Sequence, residues 1–105
     1  MVGLLGGSFD PVHLGHLLVA QAVAERLGLE ELRFVPAARQ PLKPGGPEAD
    51  ATHRLAMLEL AVAGERGFRV ERDEVERAGP SYSAVTLERL RAREPGRAFC
   101  WIVGA

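Results

Sequence analysis

The first sixteen residues constrain this chain more than any other stretch. Val2-Gly3-Leu4-Leu5 is a short apolar run, and Gly6-Gly7-Ser8-Phe9-Asp10-Pro11-Val12-His13-Leu14-Gly15-His16 follows it directly. Beyond lies a Leu/Val/Ala-rich stretch with helical spacing. The order reads as a buried strand, a glycine turn and a helix that begins near Leu14. Glycines at the strand end can take positive φ and let backbone N–H groups come close to a ligand. The helix start adds unpaired N–H groups and the positive end of a dipole, which together favour an anion such as phosphate. His13 and His16 fall near one face of the first turn, and each imidazole can donate to a phosphate oxygen, more strongly when protonated. The stretch reads as a phosphate site. It is neither a Gly-Lys-Ser/Thr phosphate loop nor a dinucleotide GxGxxG turn.

At 105 residues the chain is expected to form one domain, residues 1–105. Its 13 basic and 14 acidic side chains nearly cancel, which argues against a general nucleic-acid binder. Cys100 is the only cysteine and lies in an apolar run, so it is expected in the core, with no disulfide or zinc framework within the chain. No run approaches a membrane span and no basic-then-apolar leader precedes the first strand, so a cytoplasmic location is expected. Lys43 is the single lysine.

From Leu14 to Leu27 the apolar positions Leu14, Leu17, Leu18, Ala20, Ala22, Val23 and Leu27 form a wide stripe. It predicts a helix packed on a sheet and ended by Gly28. Leu32-Arg33-Phe34-Val35 is the next strand, stopped at Pro36, and the unit reads as βαβ with a right-handed crossover. Pro36, Pro41, Pro44 and Pro47 with Gly45-Gly46 make residues 36 to 50 a loop at the carboxyl end of that strand, where α/β sheets bind ligands. Arg39 and Lys43 lie on it. Asp50 or Thr52 is expected to cap a helix running to about Ala63, with Arg54 in a structural role. Phe68-Arg69-Val70 predicts a third strand, and the alternating charges from Glu71 to Arg77 predict a solvated strand end or loop. Ser81 or Ser83 is expected to cap a helix through about Arg93, and hydroxyls and N–H groups there suffice for a small carboxylate. The continuous apolar run from Ala98 to Val103 predicts a strand buried on both faces. Four strands alternating with three helices make the expected fold a parallel, Rossmann-like α/β sheet with helices on both faces.

The N-terminal string resembles the GSFDPxHxGH signature of the nucleotidyltransferase superfamily built on the HxGH motif, and within it the nicotinate-nucleotide adenylyltransferases. Pro41-Leu42-Lys43 is similar to that family's Pro-Pro-His-Lys segment, with Leu42 in place of the histidine. Ser81-Tyr82-Ser83-Ala84-Val85-Thr86-Leu87 is similar to its Ser-Tyr-Thr-x-Asp-Thr-Leu motif, with Ser83 for threonine and Val85 for aspartate. The family follows its last strand here with Gly-x-Asp, whose aspartate would be residue 106, and later with an Ile-Ser-Ser/Thr-x-x-Arg motif. The resemblance thus implies the N-terminal portion of a longer fold, or a partner chain that covers the apolar last strand. It further implies weak nucleotide binding by the 105-residue chain alone and self-association through that strand.

The implied activity is adenylyl transfer from ATP to nicotinate mononucleotide, giving deamido-NAD and pyrophosphate. The resemblance implies His16, His13 and Lys43 as catalytic residues and Gly7, Ser8, Phe9, Gly15 and Gly104 as nucleotide-binding. It implies Asp10, Ser81, Tyr82, Ser83 and Thr86 around nicotinate mononucleotide. Mg²⁺ is expected to arrive on ATP oxygens, with no metal site of the protein's own, and neither nucleic acid nor membrane is an expected partner. Other readings stay open. The pantetheine-phosphate adenylyltransferase normally has threonine where His13 stands and lacks the Ser-Tyr-Ser-x-x-Thr segment. A cytidylyltransferase and a non-catalytic nucleotide-binding module are the remaining ones.

Overall fold

A computed structural model describes residues 1–7, 9, 12–37, 51–76 and 83–102. Their elements run β1 (Val2–Gly7), α1 (Leu14–Leu27), β2 (Glu31–Pro36), α2 (Ala51–Val62), β3 (Phe68–Val70), α3 (Asp73–Glu76), α4 (Ser83–Arg93) and β4 (Phe99–Ile102). The four strands form one sheet in the order β3-β2-β1-β4, every neighbouring pair parallel. Val2 faces both Glu31 and Phe99 in register, and the β1–β2 pairing runs to Gly7 opposite Pro36. The expected Rossmann-like parallel sheet is the observed one.

Side chains alternate across the strands, and so the sheet makes two cores. Leu32 and Phe34 of β2 pack with Ala20 of α1 and with Leu58 and Val62 of α2 on one face. Val35 of β2 joins Val2, Leu4 and Leu90 of α4 on the other. Fully burying a side chain such as Phe34 contributes about 1.5–3 kcal/mol. Helices therefore cover both faces. β1 leads to β2 and β3 on one side while β4 lies on its other side, which places the topological switch point between β1 and β4.

Local punctuation behaves as its chemistry demands. α1 ends where Gly28 takes a left-handed conformation (φ 62°), and Gly28 N–H turns back to carbonyls of the last turn, as expected of a C-terminal glycine. Thr52 lies inside α2 rather than at its cap, and Asp50 falls outside the described residues. Ser83 is the first residue of α4, while Ser81 lies outside the described residues. The apolar stripe of α1 is only partly used. Ala20 is buried and Leu17 and Ala24 touch the core, but Leu14, Leu18 and Leu27 are exposed, because the sheet covers one side of the helix alone. β4 is half-buried along its length, not enclosed on both faces, since it is the outermost strand of the described sheet on that side. Cys100 is half-buried. No helix among the described residues is long and apolar enough to cross a membrane.

The largest departure concerns Glu71 to Arg77. The charge pattern predicts solvent, yet Glu71, Asp73 and Glu74 are buried and residues 73–76 form the short helix α3. Arginines from distant elements, and the Thr86 hydroxyl on Glu74, explain this. Arg33, on the α4 side of β2, holds Glu94 through two parallel bonds of 2.6 and 2.7 Å and Glu71 at 3.1 Å, and also pairs with Glu31. Arg93 donates to Glu71, and Arg89 donates to Asp73 at 2.9 Å. Charge-assisted bonds of this kind make burial of carboxylates tolerable.

Candidate functional site

The site is built at the carboxyl end of β1, beside the switch point, where open α/β sheets place their ligands. Three elements converge there: the end of β1, the start of α1, and the end of β2. Ala37 N–H donates to Gly7 O at 2.9 Å, which extends the β1–β2 pairing by one step. Arg54, fully buried in the first turn of α2, donates from Nη1 to Ala37 O at 2.6 Å. It thereby ties α2 to the point where the chain leaves β2. The structural role expected of Arg54 is its observed one.

The start of α1 is capped by two histidines. His13 is the N-cap residue in extended conformation (φ −142°, ψ 173°), and its Nδ1 accepts from Gly15 N–H at 3.1 Å. His16, three residues on, accepts from His13 N–H at 3.0 Å through its own Nδ1. The arrangement is a reciprocal capping box made of imidazoles in place of the usual hydroxyl and carboxylate. It has a chemical consequence. A neutral imidazole whose Nδ1 accepts carries its proton on Nε2, so both rings are assigned as Nε2–H donors by their hydrogen bonds.

The rings also touch each other, stacked with centroids 3.9 Å apart and planes 28° from parallel. His13 is exposed and His16 half-buried. Burial, and secondarily the charge His13 would carry, lower the pKa of His16 below its ordinary 6.5. At neutral pH His16 is therefore an uncharged donor. Protonation, the form that donates most strongly, is disfavoured here, which refines the expectation from sequence.

Gly15 is required by this geometry. A Cβ there would stand 2.8 Å from His13 Cε1 and 3.0 Å from its Nδ1, too close for the capping ring to stay in place. No acidic residue occupies the first turn of α1, so the positive end of the helix is not neutralised from within that turn. Phe9 closes the base of the site. It takes φ 50°, is buried, and meets His16 edge-on at 5.0 Å. Its burial was not foreseen, although an aromatic ring amid Gly, Ser, Asp and Pro was a visible signal. The capping histidines were visible too, in their i, i+3 spacing at a helix start.

Among the expected site residues, the structure brings together Gly7, Phe9, His13, Gly15 and His16. Ser83 lies exposed at the start of α4. Thr86, expected at the substrate, is instead fully buried and donates to Glu74 Oε2 at 2.6 Å. The buried Glu74 carboxylate claims the hydroxyl and holds the side chain in the core. Ser8, Asp10, Lys43, Ser81, Tyr82 and Gly104 lie outside the described residues. No group of three His, Cys, Asp or Glu among the described residues is placed to hold a metal ion.

The chain is similar to known proteins. A protein of Rhodopirellula baltica named "probable nicotinate-nucleotide adenylyltransferase" is 47% identical over 104 residues, covering 99% of this chain and 49% of the relative. One of the same name from Roseiflexus castenholzii is 52% identical over 88 residues, 84% of this chain and 44% of the relative. The chain spans about half the length of these relatives. Among solved structures, the nicotinic acid mononucleotide adenylyltransferase of Plasmodium falciparum complexed with NaAD superposes with a TM-score of 0.77 at 17% identity. The match covers 95% of this chain and 49% of that one, and shows a shared fold. The sequence pattern of the cytidylyltransferase-like family matches residues 4–105, and this chain, with its paired histidines at the start of the first helix, belongs to that family.

Proposed function

We propose that the protein transfers an adenylyl group from ATP to nicotinate mononucleotide, forming deamido-NAD and pyrophosphate. The observation that supports this most directly is the pair of Nε2–H imidazoles at a helix N-terminus whose first turn holds no acidic residue, beside the switch point. The names of the relatives support the choice of substrate. In this reading a phosphate oxygen of nicotinate mononucleotide attacks the α-phosphorus of ATP in line. The bond from that phosphorus to the bridging oxygen breaks, and pyrophosphate leaves with the electron pair. No group on the protein is modified. Its work is to position two polyanions and to meet charge that develops on phosphate oxygens.

His16 donates to the transferred phosphoryl group and His13 to the neighbouring phosphates. Backbone N–H groups of Gly7, Ser8 and Phe9 line the nucleotide, with Gly104 beside it and Gly15 keeping the turn open. Asp10, Ser81, Tyr82 and Ser83 enclose the nicotinate moiety, and its carboxylate sets the specificity. Thr86 takes no part. Mg²⁺ belongs to the ATP oxygens, because imidazole nitrogens and backbone N–H groups are not ligands for so hard a cation.

Pyrophosphate release by the intact protein, measured with ATP and nicotinate mononucleotide, phosphopantetheine or glycerol phosphate in turn, tests the proposal. Release with the first acceptor alone is expected. Faster release with either other acceptor would overturn the substrate assignment.

Lys43 allows a separate test. Placed on the leaving pyrophosphate, a charge-assisted contact is worth about 1.5–3 kcal/mol, or roughly tenfold to a hundredfold in affinity. Lys43→Ala is therefore expected to weaken ATP binding by that factor and leave nicotinate mononucleotide binding nearly intact, by calorimetric titration of each ligand. Equal loss for both ligands would count against this placement.

A further inference from the structure

We propose that Phe9 is a positioning residue for His16, orienting its imidazole so that the Nε2–H donor is the one presented at the site. The inference rests on the donor role given to His16 above, and extends it to a residue whose side chain has so far no function.

Phe9 is the single non-glycine residue with positive φ among the described residues, at 50°. That conformation is uphill for a side chain with a Cβ, so something must hold it. What holds it is burial. The ring is only 3% exposed and belongs to the core with Leu32, Phe34 and Leu58, meeting Phe34 edge-on at 5.6 Å. The far end of the ring lies against Gly7, where a Cβ would stand 3.4–3.6 Å from it, in ordinary contact. The turn thus inserts one aromatic ring into the core while the backbone on either side remains at the site.

The same ring meets His16 at 5.0 Å with the planes 75° apart, an arrangement that aromatic quadrupoles favour. Among the described residues, His16 is met by the His13 N–H on Nδ1, by the stacked His13 ring and by the edge of Phe9. The first two come from His13, which is exposed. The third comes from the core and ties the imidazole to the sheet. Phe34 in turn meets Phe68 of β3 at 5.7 Å, and the row of rings runs from the sheet edge to the site.

The test is nitrogen NMR of the His16 imidazole in the intact protein, at a pH where both histidines are neutral. In the wild type, a pyridine-like Nδ1 and a pyrrole-like Nε2 are expected, with His16 ring protons shifted by the Phe9 ring. Phe9→Leu and Phe9→Met keep an apolar filling and lose the ring. In whichever folds, the two nitrogen shifts should move toward each other, and kcat should fall about tenfold to a hundredfold with KM for both substrates changed less than about threefold. Phe68→Leu removes a ring that meets Phe34 rather than Phe9 or His16, and should leave the nitrogen shifts alone. A mixed tautomer or an absent ring shift in the wild type would overturn the proposal, as would unchanged nitrogen shifts in the Phe9 variants. Full activity in His16→Ala would instead remove the donor role itself, and the nitrogen shifts would still decide whether Phe9 orients the ring.

Discussion

Replacing His16 by alanine is expected to lower turnover of the intact protein by about two to four orders of magnitude. A preorganised donor at the point where charge develops is worth several kcal/mol of transition-state stabilisation, because it acts without reorganising at the moment of reaction. Substrate affinity should change far less, since the interaction is stronger in the transition state than in the ground state. His16 also accepts from His13 N–H, so its removal loosens the start of α1 by about 1 kcal/mol. His16→Asn separates the two effects: an amide oxygen can still accept from that N–H, and turnover should nonetheless fall. Steady-state kinetics read the first effect and thermal unfolding the second. Retention of more than about a third of wild-type kcat in the alanine variant would exclude His16 from the mechanism.

Arg33→Met is expected to destabilise the fold by about 3–5 kcal/mol, the usual cost of removing one partner from a buried ion pair. The Arg33 side chain is 6% exposed and bonds Glu31, Glu71 and Glu94. Its loss leaves Glu31 with the exposed Arg69 and with Arg97 at 4.0 Å, and Glu71 with Arg93. A domain with about 5–15 kcal/mol in all would lose a large share of it. Urea unfolding measures the difference, and a loss below about 1 kcal/mol would show the network to be decorative.

The same network sets an acid limit. Hydrogen bonding to Arg33 lowers the pKa of Glu94 from 4.5 to about 2. Between those values the unfolded chain binds a proton that the folded one refuses, so stability present above pH 4.5 is lost progressively as pH falls toward 2. Arg33→Met should flatten that slope.

The elements were largely legible because their signals are local. Leu14 to Leu27 shows helical spacing and stops at a glycine that takes the left-handed conformation; Pro36 ends β2; Phe68 to Val70 is β3, and α4 runs to Arg93. The parallel order followed from strands alternating with helices. At the site, the histidine pair and Gly15 were legible for the same reason, as three residues within one helical turn.

Tertiary structure decided what depends on partners far away in the chain. Glu71, Asp73 and Glu74 have the composition of a solvated loop, and are buried because Arg33, Arg89, Arg93 and the Thr86 hydroxyl converge on them. Arg33 and Glu94 are 61 residues apart, a separation at which no local pattern shows a pairing. The exposure of Leu14 and Leu18 and the burial of Phe9 have the same origin. Periodicity says that a face is apolar, whereas the position of the sheet determines how much of that face is covered. By itself, then, the sequence determined the strands, the three longer helices and the paired imidazoles at a helix start, because backbone preference and side-chain period act within a few residues. Which charges are buried, and which ring from the core holds His16, only the assembled sheet decided, since those energies exist only when distant segments meet.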